Sequence, residues 1–158
     1  MRRSLQSGEV LLKDSDEMFF RACAPGNFNQ HTGQPLDTLF RPDKRDNGEL
    51  SGDRSSRHSA DQAYKHRTNA NGLRCSGIWG ITVGEADQAG HNVVDDTSRN
   101  FALGVHCSPA HVFLDMTDYH QLRSRQRQAV RQRLLLLAIR HGRQYPVNVS
   151  EDTTEELF

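Results

Sequence analysis

"AHVFLDMTDYHQLRSRQRQAVRQRLLLLAIRHG" (residues 110–142) decides the fold class, because its hydrophobic period changes partway along. The first seven residues alternate. Val112, Leu114 and Met116 point one way and His111, Phe113 and Asp115 the other, as on a strand with one buried face. Thr117 then offers the hydroxyl of a helix N-cap. Leu122, Ala129, Val130, Leu134, Leu137 and Ile139 mark a core-facing stripe along a helix over about 118–141, which Gly142 stops. Within it "LLLLAI" (134–139) is apolar all round, so this part of the helix is either deeply buried or paired with another chain.

Upstream, the signals are mostly those of strands. In "CSGIWGITVGEA" (75–86), Ile78, Trp79, Ile81, Thr82 and Val83 favour a strand, and the glycines suit a bulge or a close backbone approach. "EMFFRACA" (17–24) reads as a short buried strand. In "SADQAYKHRTN" (59–69), Ser59 and Gln62 have capping-box spacing, so a short helix starts there and closes at Asn71-Gly72. Residues 87–100 read as an excursion with one extended piece at Val93-Val94, and "RQYPVNV" (143–149) as a short final strand. Strands, a short helix, more strands and a long helix make an α+β single domain, a mostly antiparallel sheet packed on a long C-terminal helix. The expected division is a polar N-terminal segment (1–16), one domain (17–149) and an acidic, disordered tail (150–158).

Composition agrees with one domain. The chain has 158 residues, of which 35% are apolar, and a mean hydropathy of −0.75, which together imply a modest core with long polar excursions. Twenty basic residues balance twenty acidic ones, so overall charge implies neither a nucleic-acid nor a membrane partner. Arginine supplies 17 of the 20 basic residues; its planar fork suits carboxylates and phosphates, although a GC-rich genome produces the same bias. Cys23, Cys75 and Cys107 are odd in number and form no CxxC pair, which suits a reducing cytoplasm. The N-terminus has no apolar core of signal-peptide length and no run is long enough to span a bilayer. The expectation is a soluble, cytoplasmic, non-membrane protein.

Four places carry chemistry. His111 and Asp115 share one strand face, and a carboxylate within reach of an imidazole makes an acid–base pair. "RPDKRDNGELSGDR" (41–54) is rich in charge, and Gly48 and Gly52 permit a tight, ordered loop. It is not a phosphate-binding loop of the glycine-lysine type. Asp46, Ser51 and Arg54 from this loop join His111 and Asp115 as the candidate catalytic set. "HCSPAH" (106–111) offers His106, Cys107 and His111, a mixture zinc accepts, but the spacing matches no structural zinc motif, so neither metal nor cofactor is expected. Arg123, Arg125, Arg127 and Arg131 on the C-terminal helix form a basic face able to track a phosphate backbone, with no aromatic residue among them to stack bases.

"FRPDKRDNGELS" (40–51), "ADQAYKH" (60–66), "CSGIWGITVGE" (75–85) and "AHVFLDM" (110–116), in that order, resemble a group of short bacterial proteins of unknown function. The resemblance spans roughly residues 18–145. It departs at Met116, where the group has phenylalanine, and at Gly52, where it has valine. It brings no activity. What it implies is a shared unit in which the 41–54 loop, Glu85, His111 and Asp115 recur as polar points. The leading expectation is a non-enzymatic, partner-binding module (accessory, antitoxin-like or immunity-like) with an unidentified protein partner. The alternatives are a small enzyme acting on a phosphate ester or nucleotide through the loop and His111, and nucleic-acid binding through the C-terminal helix.

Overall fold

The computed structural model describes residues 2–147. Its elements are β1 (Val10–Leu11), β2 (Met18–Cys23), β3 (Phe28–Asn29), β4 (Gln34–Pro35), β5 (Glu49–Arg54), α1 (Ala60–Lys65), β6 (Gly77–Thr82), α2 (Val83–Gln88), β7 (Val93–Asp95), α3 (Thr97–Ala102), β8 (His111–Asp115) and α4 (Ser124–His141). Six strands form one sheet in the order β1-β7-β8-β5-β2-β6, and every neighbouring pair is antiparallel. β3 and β4 make a separate hairpin. The chain is thus a single α+β domain with its antiparallel sheet on a C-terminal helix.

The alternation of β8 is the one its sequence carries. Val112, Leu114 and Met116 are buried in the main core with Phe19, Leu50, Trp79, Ile81 and Val93. That face of the sheet is closed by Leu134 and Ala138 of α4 and by Leu39 and Phe40 of a tight turn over Asp37–Phe40. Each leucine or phenylalanine side chain among these, taken from water, contributes about 2 kcal/mol. Leu135 and Leu137 also pack on this core, and only Leu136 of the leucine run is left outward at 59% exposure. The apolar run therefore serves the core.

Several expectations change. α4 begins at Ser124, not near 118, because the Asp115 carboxylate accepts from both the backbone N–H and the hydroxyl of Thr117. Thr117 is thereby tied back to β8 instead of capping a helix, and Leu122 and Arg123 remain extended. The helix does stop at Gly142, whose φ of 76° suits glycine. "CSGIWGITVGEA" is a strand only to Thr82. There the Thr82 hydroxyl accepts from Glu85 N at 3.0 Å, the Glu85 carboxylate accepts from Thr82 N at 2.8 Å, and α2 starts. This T-x-x-E capping box outweighs the strand preference of Val83.

The 87–100 excursion contains β7 and the start of α3, and the 143–149 segment gives only one bridge, Tyr145 to Ile78, among its described residues. Residues 2–16 belong to the fold, since β1 pairs with β7 and Arg3 joins an ion cluster described below. The expected acidic tail lies outside the described residues. The second half of the 41–54 "loop" is β5, a central strand. Its glycine is imposed from outside: a Cβ at Gly52 would overlap the Phe19 ring and the Phe20 carbonyl oxygen.

Candidate active site

The sheet face opposite α4 is covered only at its two ends. Over β2 and β6, Ala63 of α1 packs on Phe20 and Ile78. Over β8, the guanidinium groups of Arg3 and Arg99 lie 5.0 and 5.5 Å from the centre of the Phe113 ring. Between these covers a cleft of about 560 Å³ opens over β5 and β2. Ser51, Gly52 and Asp53 form its floor. His66, Arg67 and Asn71 supply one wall, and Asn100 with the Val105–Ser108 segment supplies the other. His66 and Arg67 sit on a π-helical turn, His66–Ala70, a local geometry found often at functional sites.

His111 reaches the cleft from β8. Its Nδ1 is 2.6 Å from a carboxylate oxygen of Asp96, which is 1% exposed. The other Asp96 oxygen accepts from Arg99 at 3.1 Å. Arg99 also holds Glu9 at 2.6 Å and Glu49 at 3.0 Å, and Arg3 bridges the same two glutamates. Burial works against the Arg99 charge, but Glu49, Asp96 and Glu9 hold its pKa above the usual arginine value. This network fixes Asp96, and Asp96 fixes the imidazole through Nδ1. The Nε2 edge has no protein partner among the described residues. A carboxylate on Nδ1 selects the tautomer and leaves Nε2 as the nitrogen that exchanges a proton, as a proton-transfer group requires.

A second such pair lies alongside. Asp53 is the direct cross-strand partner of His111, and its carboxylate is 3.0 Å from Nδ1 of His58. The His58 ring packs against the His66 ring with centroids 5.8 Å apart.

The cations of the cleft differ in their pairing. Ladder pairing between β2 and β5 is limited to Phe19↔Arg54 and Phe20↔Asp53. Beyond it, Arg21 fills the gap and donates to the carbonyls of Ser51 at 2.7 Å and Leu39 at 3.0 Å. Burial, helped by the neighbouring Arg67 charge, pulls the Arg21 guanidinium down to about 10, so it remains charged at neutral pH. Neither Arg21 nor Arg67 has a carboxylate ion-pair partner among the described residues. Together they make a positive pole in the cleft.

Of the sequence-derived set, His111, Asp46 and Ser51 line this cleft. Arg54 does not. It points to the core side of β5 and pairs with Glu17 at 2.8 Å and Asp95 at 3.1 Å. Asp115 shares a strand face with His111, but four strand residues span about 13 Å, too far for a hydrogen bond. Its carboxylate binds Arg3 N and Thr117 N, each at 3.0 Å. The carboxylate partner of His111 is Asp96 instead. His106 and Cys107 also reach the cleft, with Asn100 Nδ2 donating to the Cys107 sulfur at 3.7 Å. Among the described residues, however, no group of three or more His, Cys, Asp or Glu side chains is arranged to hold a metal ion. Burial pushes the Cys23 thiol up to about 12 and makes it a poor nucleophile.

On α4, Arg127 donates to the Leu122 carbonyl, and Arg131 donates to the Tyr119 hydroxyl and approaches Asp37. Arg123 and Arg125 remain exposed, so half of the expected basic face is engaged within the fold. Sequence reading passed over Asp96, Arg21, His66 and Arg67. The one local signal was the Asp95-Asp96 doublet closing a short apolar strand. No protein-family model matches the chain, and no curated protein or solved structure is significantly similar to it. The chemistry of the cleft therefore rests on its own geometry. Among the described residues no helix is long and apolar enough to cross a membrane.

Proposed function

We propose that the protein is a small enzyme in which the His111–Asp96 pair performs acid–base catalysis on a phosphate ester. The observation that carries this reading is the 2.6 Å contact between a buried carboxylate and an imidazole that opens onto a cleft. Positioned imidazoles contribute about 10²- to 10⁴-fold to such reactions. Arg21 and Arg67, without a carboxylate ion-pair partner among the described residues, favour an anionic substrate, and guanidinium forks match phosphate oxygens. Three free cysteines, Cys23, Cys75 and Cys107, support a cytoplasmic setting. The test is hydrolysis of a panel of phosphate mono- and diesters by wild type and His111→Gln. Turnover lost in the variant at an unchanged melting temperature supports the reading, and a wild type inert toward the whole panel overturns it.

A second reading, a partner-binding module, is favoured by a different surface. Phe101 near the end of α3, and Leu103 and Val105 on the connection from α3 to β8, are 88%, 70% and 52% exposed. Three outward apolar side chains within five residues suit an interface. A stoichiometric complex purified from host lysate and lost with Phe101→Ser and Leu103→Ser would support this reading. A complex indifferent to both substitutions would overturn it.

A further inference from the structure

Resting on the reading just given, the geometry points to a narrower substrate class: we infer that the cleft hydrolyses phosphodiesters, with His66 as the second proton-transfer residue. His111 and His66 line the same cleft from different elements, β8 and the π-helical turn after α1. The His66 ring makes no hydrogen bond among the described residues, so both of its nitrogens are available. It is kept in place by its packing against His58, which Asp53 holds at 3.0 Å. Arg67 follows it in sequence and lines the same wall, and the Arg21 guanidinium is near enough to feel the Arg67 charge. Among the described residues the cleft thus combines a carboxylate-anchored imidazole, a second imidazole without a hydrogen-bond partner and a pair of guanidiniums without a carboxylate ion-pair partner.

Two imidazoles are what a diester requires. A phosphate monoester reacts through a loose transition state that gains little from a general base. Displacement at a diester gains at both ends, from removal of a proton from the attacking water and delivery of one to the departing oxygen. In the step assigned here a water oxygen forms a bond to phosphorus as its proton passes to Nε2 of His111. The bond from phosphorus to the leaving oxygen breaks, its electron pair stays on that oxygen, and the oxygen takes the proton of the His66 imidazolium. One water is consumed, and a monoester and an alcohol are released. Proton exchange with solvent returns both rings to their starting states. The guanidiniums of Arg21 and Arg67 bind the non-bridging oxygens.

The experiment compares two leaving groups in one preparation of the full chain. Thymidylyl-thymidine has an alkoxide leaving group and no 2′-hydroxyl, so water must attack. The p-nitrophenyl ester of thymidine 5′-phosphate leaves as a phenolate that needs no proton. His66→Asn is expected to lower hydrolysis of the first by about 10²-fold or more, with a much smaller fall on the second, because a general acid matters only for the poor leaving group. His111→Gln is expected to lower both. The ratio of the two rates is independent of how much of a variant is folded, so a destabilised preparation still gives a result. Equal losses on both substrates in His66→Asn overturn the role of His66. A wild type that hydrolyses only phosphate monoesters, in a His111-dependent way, overturns the diester assignment while leaving the acid–base reading standing. A wild type inert toward mono- and diesters overturns both.

Discussion

Asp53 on β5 stands directly across the ladder from His111 on β8, which sets two histidine–aspartate pairs side by side on the uncovered sheet face. The two pairs differ in their supports. Asp96 is locked from behind by Arg99, whereas the Asp53 carboxylate has His58 as its hydrogen-bond partner. The more rigid pair is the one whose imidazole opens onto the cleft.

Asp96→Asn tests that support. The amide leaves the shape of the site but removes the carboxylate that orients the His111 ring through Nδ1. Turnover is expected to fall by about 10²- to 10⁴-fold, the range a positioned proton-transfer group contributes. The melting temperature should also drop, since Arg99 loses one of its carboxylates. Steady-state kinetics beside a thermal melt separates the two effects. Undiminished kcat in a folded Asp96→Asn protein would remove Asp96 from the mechanism.

Arg67→Ala tests the positive pole. A charge-assisted hydrogen bond contributes about 1.5–3 kcal/mol, so KM for an anionic substrate should rise by roughly 10- to 100-fold with less change in kcat. The rise in KM with added salt should be shallower in the variant than in wild type, because one attractive charge is gone. An unchanged KM would place the anion elsewhere.

Arg54 is expected to act on stability rather than turnover. Arg54→Met strands Glu17 as a buried carboxylate and leaves Asp95 with Arg57 as its remaining ion-pair partner, a loss of about 3–5 kcal/mol when one member of a buried ion pair is removed. In wild type, burial pushes the Glu17 carboxyl up, but hydrogen bonds from Arg54 and Ser56 overcome it and hold the group at about 2. A folded-state pKa below the unfolded one gives stability that is full above the unfolded value, near 4.5, and is lost as pH falls toward 2. Urea titrations from pH 7 to 2 should show that acid limb in wild type, worth about 3 kcal/mol, and a flatter one in Arg54→Met.

Gly52→Ala should destabilise the protein by about 1–3 kcal/mol, because the added methyl must displace the Phe19 ring or the backbone of β2. Chemical denaturation measures it. The paired variant Gly52→Ala with Phe19→Leu should recover part of the loss if the ring is the obstacle.

The sequence by itself determined the features whose causes are local. The buried face of β8, the Ser59–Gln62 capping box and the stop at Gly142 each depend on side chains within a few residues of one another, and each stands in the structure. The α+β class followed from the same short-range periodicities. The Thr82–Glu85 box was equally local but was hidden under a run of strand-forming residues. Tertiary structure alone decided the site. Asp96 lies 15 residues from His111, and the two meet only because β7 and β8 pair in a register that places Asp95 opposite Val112. Asp115, closer in sequence, is held too far away by the extended strand between them. β5 was illegible for a similar reason: Gly52 reads as a loop residue until the ring of Phe19, from another strand, occupies the space its side chain would need. Side chains distant in sequence converge through strand register and packing, and neither is written in the residues nearby.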